Sequence, residues 1–245
     1  MGEANRRKKT GAPARPPKTP KSGRGPMIAI IVVVLLAILV GLYFLTRAPT
    51  PDSAGLPSVP PSTEAFPAGV DRYGVSIGDE DAPVVVREFA DYQCPACARF
   101  APASERLRDE YVESGQVRFV FFDLPLRQHQ HAMEAAEAAR CAGDQDAYWT
   151  MHDHLFDNQS EWSNNSQATG VFTRYADELG LKERRFRNCL ATDLHREAVE
   201  RSLKVAQQLR VASTPTVFVD NIPLSQPGWG QMSAVIEREL AEAGN

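Results

Sequence analysis

Two cysteines separated by two residues, placed where a strand gives way to a helix, constrain this sequence most. The motif Cys94-Pro95-Ala96-Cys97 follows a short apolar run at 84–90 (VVVREFA) and precedes apolar residues with helical spacing. A short β-branched run of this kind predicts a buried strand. Pro95 suits the first position of a helix, because its fixed φ is already helical and its missing N–H would have no partner there. Cys94 is therefore predicted at the helix N-cap.

The N-cap position predicts redox chemistry for the pair. The N-terminus of a helix carries a partial positive charge and unpaired N–H groups. Both stabilise a thiolate, which is the form that attacks disulfides, and so lower the pKa of Cys94. Cys97 lies one turn further along, within bridging distance, so the pair can cycle between dithiol and disulfide. Half of a zinc site has the same CxxC spacing, but the location between a strand and a helix favours redox chemistry.

The N-terminal part of the chain divides into three segments of different composition. Residues 1–26 are basic, rich in Pro, Gly and Lys, and predict a disordered tail. Residues 27–45 carry no charge, and as a helix they would span about 28 Å, close to a bilayer core of about 30 Å. This predicts a single transmembrane helix. Residues 46–69 hold six prolines among Ser, Thr and Ala, which predicts a semi-rigid linker.

The charges around the apolar run predict its orientation. Eight Lys or Arg residues precede the run, and only Arg47 follows it closely. The tail is therefore predicted to be cytoplasmic and the domain at 70–245 extracytoplasmic, in a single-pass protein of the cell membrane. A cleaved signal peptide is the alternative. Its apolar core would usually be about 7–15 residues long, and Thr46-Arg47-Ala48-Pro49 is a poor cleavage site.

The patterns within 70–245 predict an α/β domain. The run at 117–123 (VRFVFFD) is a second buried strand, and strand–helix–strand order implies a βαβ unit with a parallel pair. Residues 126–210 show helical patterns without a strand, which predicts an inserted α-helical subdomain. A strand at 216–220 begins directly after Pro215. The start of a strand is one of the few places where a sheet tolerates proline, and this peptide bond can be cis.

The charge balance argues against nucleic acid as a partner. The chain has a net charge of −4, but nine of its 27 Lys and Arg residues lie in 1–47 beside a single acid. The rest of the chain therefore holds 18 basic and 30 acidic residues, a net charge of −12. An acidic domain does not suit a polyanion. No phosphate-binding loop or Ser/His/Asp arrangement is present, so we expect neither a cofactor nor a metal; the cysteine pair is the redox group.

Three segments together resemble the DsbA-like branch of the thioredoxin superfamily. They are DYQCPACARF at 91–100, CAGDQDAYWTMHDHLF at 141–156 and STPTVFVD at 213–220. The resemblance covers about residues 70–245 and leaves the tail, the apolar run and the linker outside. It implies a thioredoxin-like fold with a helical insertion, preceded in this chain by the predicted transmembrane helix.

The resemblance also implies a role for each residue of the site. Cys94 resembles the exposed nucleophile and Cys97 the buried resolving cysteine. Thr214 and Pro215 resemble a cis-proline loop that faces the pair and offers backbone hydrogen bonds to a substrate chain. Glu88 resembles a buried acid beneath the site, whose raised pKa would let it relay a proton to or from Cys97. The alternative for Glu88 is a strand residue that points to solvent.

Two further cysteines, Cys141 and Cys189, lie in the predicted insertion, where some relatives are similar in having an extra bridge. We expect a structural disulfide between two helices, closing a loop of about 48 residues and worth at most about 4 kcal/mol. Two buried free thiols, or a second redox pair, are the alternatives. His129 and His131 begin the insertion, and either line a groove at the site or have no role there.

These features predict an extracytoplasmic thiol:disulfide oxidoreductase that donates disulfides to exported proteins. Its substrates would be unfolded or reduced exported proteins, and the family implies a membrane reoxidase of DsbB-like or vitamin K epoxide reductase-like type. We expect a monomer. One alternative is a reductase or isomerase of the same fold. Ala96 stands where the strong oxidases of enteric bacteria have histidine, so the pair is expected to be oxidising but its strength is not ranked. Another alternative is a copper-binding thioredoxin-like chaperone that uses Cys94 and Cys97 as soft ligands.

Overall fold

The computed structural model describes three parts of the chain, residues 34–36, 55–59 and 65–244. The chain divides into two units, Met1–Thr50 and Pro51–Asn245. In the first unit, residues 34–36 are helical and their side chains are exposed.

The membrane part of the prediction falls almost entirely outside these described residues. The predicted tail at 1–26 lies outside them, as does the predicted transmembrane helix at 27–45 apart from 34–36. Among the residues that are described, no helix has both the length and the apolar character needed to cross a membrane. The transmembrane helix therefore stays a prediction.

The second unit is built on one mixed sheet. Its strands are β1 (Val75–Ile77), β2 (Val84–Ala90), β3 (Val117–Asp123), β4 (Thr216–Val219) and β5 (Ile222–Pro223), in the spatial order β1-β3-β2-β4-β5. Strand β2 pairs parallel to β3 and antiparallel to β4. The predicted βαβ unit is confirmed, and β2 is the central strand that leads into the cysteine motif.

Eight α-helices surround the sheet in the described part of the chain. They are α1 (Pro95–Leu107), α2 (Ala132–Gly143), α3 (Tyr148–Asp157), α4 (Gln159–Trp162), α5 (Ala168–Glu178), α6 (Glu183–Ala191), α7 (Arg196–Gln208) and α8 (Trp229–Ala243). Helix α1 continues into a π-helical turn at Arg108–Val112. Helices α2 to α7 all lie between β3 and β4, so the predicted thioredoxin-like α/β fold with a helical insertion is confirmed.

Strand β2 supplies side chains to two apolar clusters on opposite faces of the sheet. Val86 and Ala90 belong to the larger cluster, together with residues of α1, the insertion and α8. Phe89 belongs to the smaller cluster and stacks on Phe122, with ring centroids 4.5 Å apart. Because successive side chains of a strand point to opposite faces, Glu88 lies on the same face as Val86 and Ala90, beneath α1.

The described part of the predicted linker packs against the domain. The Phe66 N–H donates to Asn221 Oδ1 at 3.1 Å, and the Phe66 ring lies 5.1 Å from that of Phe218. Leu56 and Val59 pack against the larger apolar cluster. The folded domain therefore begins before residue 70, and this part of 46–69 is not a free tether. The sequence could not reveal this, because the contacts are made to residues more than 100 positions away.

The structure places a disulfide between Cys141 of α2 and Cys189 of α6. The two Cα atoms are 5.9 Å apart, and the bridge spans 48 residues of sequence. Both cysteines are buried, within the larger apolar cluster. The bridge therefore joins two helices of the insertion and restrains the loop between them.

Replacing both cysteines, as C141S/C189S, is expected to lower the free energy of unfolding by about 4 kcal/mol, because the unfolded chain then regains the entropy of a 48-residue loop. Urea unfolding of the two proteins measures the difference. C94S/C97S is the matched control, since it removes two cysteines and keeps this bridge. A difference below about 1 kcal/mol between C141S/C189S and that control would contradict a stabilising role for the bridge.

Candidate active site at the Cys94–Cys97 pair

The cysteine pair lies at the start of α1, one short turn after the end of β2. Cys94 is the N-cap, with φ −74° and ψ 121°, and Pro95 occupies the first turn. The Cys94 carbonyl accepts a hydrogen bond from the Ala98 N–H at 3.2 Å. Both cysteines are free thiols. Cys97 is fully buried, whereas Cys94 is 8% exposed. The residue predicted to be the exposed nucleophile is therefore largely buried, with only a small part of its surface in contact with solvent.

Several donors converge on the Cys94 sulfur. The largest effect is a hydrogen bond from the Cys97 thiol, and smaller ones come from Thr214 and the N–H groups of Cys97 and Ala96. Together they outweigh burial and lower the pKa of Cys94 to about 4. Cys94 is therefore a thiolate at neutral pH, stabilised mainly by its partner thiol and by the helix N-terminus.

The second thiol of the pair is held in the opposite state. Burial raises the pKa of Cys97 far above its ordinary value, and the charges of Cys94 and Glu88 raise it further. Cys97 is therefore protonated whenever the pair is reduced. The fold thus stabilises Cys94 as a thiolate and Cys97 as a thiol.

The loop before β4 faces the nucleophile. The Thr214–Pro215 peptide bond is cis. The Cys94 sulfur lies 3.7 Å from the Thr214 carbonyl oxygen, to which it can donate only when it is protonated. The structure therefore brings Thr214 and Pro215 to the pair across 120 residues of sequence.

Glu88 lies beneath the pair and is 1% exposed, so it does not point to solvent. Ser104 Oγ of α1 donates to Glu88 Oε2 at 3.0 Å. Burial raises the pKa of Glu88 from its ordinary 4.5 to about 7, although the Ser104 hydrogen bond and the charge of Arg108 oppose the shift. The carboxyl can therefore gain or lose a proton near neutral pH, close enough for its charge to raise the pKa of Cys97.

A buried carboxylate ties the turn before the motif to the beginning of the insertion. Asp91 Oδ1 accepts the Gln93 N–H at 2.7 Å. Asp91 Oδ2 accepts the Leu126 N–H at 2.7 Å and lies 2.8 Å from His129 Nδ1. Of the two histidines considered for the site, His129 thus contacts this carboxylate, while the backbone N–H of His131 bonds Gln93 Oε1.

Sequence reasoning did not single out Asp91, Ser104 or Gln159 as site residues. An Asp at the start of a turn often accepts the backbone N–H two residues further on, an arrangement called an Asx turn. This tendency could have identified the contact between Asp91 and the Gln93 N–H. The contacts of Ser104 and Gln159 have no local signal, because their partners lie 16 and 65 residues away.

A groove of about 560 Å³ opens beside the pair. Ala96, Arg99 and Phe100 of α1 form one side, and Trp229 at the start of α8 forms the other. Pro215 of the cis-proline loop also lines it. The groove is therefore continuous with the elements that hold the two thiols.

Comparison with known proteins decides the family. The family model described as thioredoxin matches residues 71–238. The chain belongs to the thioredoxin family. Probable disulfide bond formation protein D of Bacillus cereus is 30% identical over 171 residues, which are 67% of this chain and 78% of that protein. These similarities place the chain with the DsbA-like thiol:disulfide oxidoreductases of the family.

Two solved structures share the fold. Oxidised BdbD from Bacillus subtilis matches with a TM-score of 0.62 and 24% identity, over 76% of this chain and 97% of that one. Alpha-DsbA1 from Wolbachia pipientis matches with a TM-score of 0.62 and 20% identity, over 69% of this chain and 91% of that one.

The domain also resembles part of a longer protein of another kind. The Na(+)/H(+) antiporter NhaA 3 of Salinispora tropica is 38% identical over 144 residues, 58% of this chain. The chain spans only 21% of the length of that antiporter.

Substituting Glu88→Gln is expected to stabilise the protein at high pH and to leave it unchanged at low pH. A carboxyl whose pKa is higher in the folded than in the unfolded state does not destabilise the protein at pH values below its pKa in the unfolded chain. The free energy of unfolding then falls as the pH rises from that value through the pKa of the carboxyl in the folded protein. For Glu88 the rise of the pKa from 4.5 to about 7 corresponds to a loss of about 3 kcal/mol in the free energy of unfolding above pH 7, which Glu88→Gln should restore.

The free energy of unfolding of both proteins, measured between about pH 4 and pH 8, tests this prediction. Exposed Glu197→Gln is the control and is expected to leave the pH dependence unchanged. If the Glu88→Gln curve runs parallel to that of the unsubstituted protein, Glu88 does not titrate near neutral pH.

Proposed function

We propose that this protein is an extracytoplasmic thiol:disulfide oxidoreductase that acts as a disulfide donor to exported proteins. The observation that carries the proposal is the opposite protonation of the pair, with the pKa of Cys94 lowered to about 4 and that of Cys97 raised. Stabilising the Cys94 thiolate stabilises the reduced pair, and a pair that is stable when reduced is a strong oxidant. Similarity to disulfide bond formation protein D supports the same direction.

In the first step, a substrate thiolate attacks the sulfur of Cys94 in the oxidised pair. A bond forms between the substrate sulfur and Cys94, and the Cys94–Cys97 bond breaks. Cys97 leaves with the electron pair and takes up a proton. Glu88, whose pKa is about 7 and whose charge acts on Cys97, is the group proposed to supply it. Thr214 and Pro215 border the substrate side and are proposed to hold the substrate backbone.

In the second step, another thiolate of the substrate attacks the substrate sulfur of the mixed disulfide. Cys94 leaves as a thiolate, which the Cys97 thiol and the helix N-terminus stabilise. Two electrons have then passed from the substrate to the pair, and the substrate holds a new disulfide. In this proposal the pair itself carries both electrons, and Glu88 supplies only a proton.

The reduced pair must return its two electrons to another disulfide. We propose a membrane reoxidase of DsbB-like or vitamin K epoxide reductase-like type, reached from a monomer held at the membrane by residues 27–45. The charge pattern around that run supports a cytoplasmic tail and an extracytoplasmic domain. Exported proteins with free thiols are the proposed substrates.

The reduction potential of the Cys94–Cys97 pair is expected near about −120 mV, the value of a disulfide donor, rather than near about −270 mV, as in thioredoxin. It is measured by equilibrating the purified full chain in glutathione buffers and labelling free thiols, with C141S/C189S as the control that assigns the signal to the pair. A value near that of thioredoxin would reject the donor role and favour the reductase alternative.

The apolar run is expected to anchor the chain uncleaved. Expressed in bacteria, the protein should sediment with the membranes and keep its full mass, and protease added outside should digest the domain. Leu35→Lys/Leu36→Lys should release or mislocalise it, since each charge at the centre of a span costs about 2.5–3.5 kcal/mol. A soluble product that lacks the first residues up to about 47 would show a cleaved signal peptide instead.

A further inference from the structure

One side chain of the insertion reaches the backbone of the redox motif on both sides. Gln159, the first residue of α4, donates from Nε2 to the Tyr92 carbonyl at 2.7 Å and to the Cys94 carbonyl at 3.0 Å. The two carbonyls flank the last residues before α1. A single carboxamide thus uses both of its hydrogens to hold the segment that presents the nucleophile.

We propose that Gln159 is a positioning residue that holds the Cys94 backbone in the N-cap conformation that its thiolate requires. The Cys94 carbonyl already accepts the Ala98 N–H at 3.2 Å, so the Gln159 bond fills its second lone pair. Both bonds fix the same peptide plane, one from inside α1 and one from the insertion. Gln159 acts through this backbone, not through the sulfur.

The neighbouring contacts restrain the same turn and involve the same part of the insertion. Gln93 Nε2 donates to the Ser163 carbonyl at 2.6 Å, and Gln93 Oε1 accepts the His131 N–H at 2.6 Å. Residues 159 and 163 therefore both bind the turn that leads into α1. The insertion does more than cover the sheet, because it bonds the backbone that carries Cys94.

The orientation of this backbone determines which donors reach the sulfur. The N–H groups of Ala96 and Cys97 contribute to lowering the pKa of Cys94, and they point at the sulfur only while Cys94 keeps its extended ψ of 121°. Rotation of the Cys94 peptide plane would move the sulfur away from these N–H groups. Losing the Gln159 bonds should therefore weaken the thiolate without removing any of its direct donors.

The inference rests on the proposed redox use of the pair, but not on the direction of transfer. The decisive variant is Gln159→Met, which keeps the length of the side chain and removes both donors. In the purified full chain, the ultraviolet absorbance of the thiolate is followed against pH. The pKa of Cys94 is expected to rise by about one unit, a tenfold loss of acidity. The reduction potential should become about 30 mV more negative, which is the same tenfold factor.

The matched control is Gln207→Met, an exposed position on α7, which should change neither value. Gln159→Asn keeps a carboxamide that is one methylene too short to reach both carbonyls, so a smaller rise is expected; it also serves as the test if Gln159→Met does not fold. A variant that lowers the melting temperature but leaves the pKa and the potential of Cys94 unchanged would overturn the proposal and leave Gln159 a purely structural role.

The two proposals can fail separately. A thioredoxin-like potential in the unsubstituted protein would reject the donor role, yet a shift between that protein and Gln159→Met would still support positioning. Conversely, a strongly oxidising protein whose potential does not respond to Gln159→Met would keep the donor role and reject positioning.

Discussion

The structure depends on the contact between the Cys94 sulfur and the N-terminal end of α1. A helix start provides N–H groups without intrahelical partners, and here two of them, on Ala96 and Cys97, act on a sulfur. For this to happen, β2 must lead through the short turn at 91–94 into the first turn of α1, with Pro95 in the first position. The sheet order serves the same end, since β2 lies between β3 and β4 and the cis-proline loop before β4 reaches the same sulfur.

Burial keeps the Cys97 thiol protonated, and at Glu88 the same burial lowers the stability of the fold near neutral pH. Cys97 and Glu88 lie beneath the motif in an apolar cluster, where neither is favoured in its charged form. A carboxyl that ionises near neutral pH in such a place lowers the stability of the fold. The same property would suit it to exchange a proton with the thiol that leaves and returns in the proposed cycle. Under that proposal, stability and proton transfer make opposite demands on Glu88.

The parts of the site that sequence reasoning could predict are the local ones. Cys94 and Pro95 identify a helix start within four residues, and the apolar runs identify β2 and β3. The contacts of Asp91 with Leu126 and of Gln159 with the Cys94 carbonyl could not be predicted, because they join segments 35 and 65 residues apart. The packing of Phe66 against Phe218 could not be predicted for the same reason, because Phe66 lies in a segment whose prolines indicate a linker and its partner is distant in sequence. Composition predicts which segments bury side chains, but not which distant backbone groups they bind.

Ala96 makes these long-range contacts more important in this chain. An alanine at that position offers no side-chain charge to the thiolate, so apart from Cys97 and Thr214 the donors are backbone N–H groups. A backbone donor cannot change rotamer to follow the sulfur, so its contribution depends on how rigidly the turn is held. Asp91 and Gln93 of that turn accept the backbone N–H groups of Leu126 and His131, and Gln159 donates to the Cys94 carbonyl. All three partners lie in the insertion, so a thioredoxin-like domain without the insertion would not have them. In this chain the insertion is therefore expected to influence the acidity of Cys94 as well as to cover the fold.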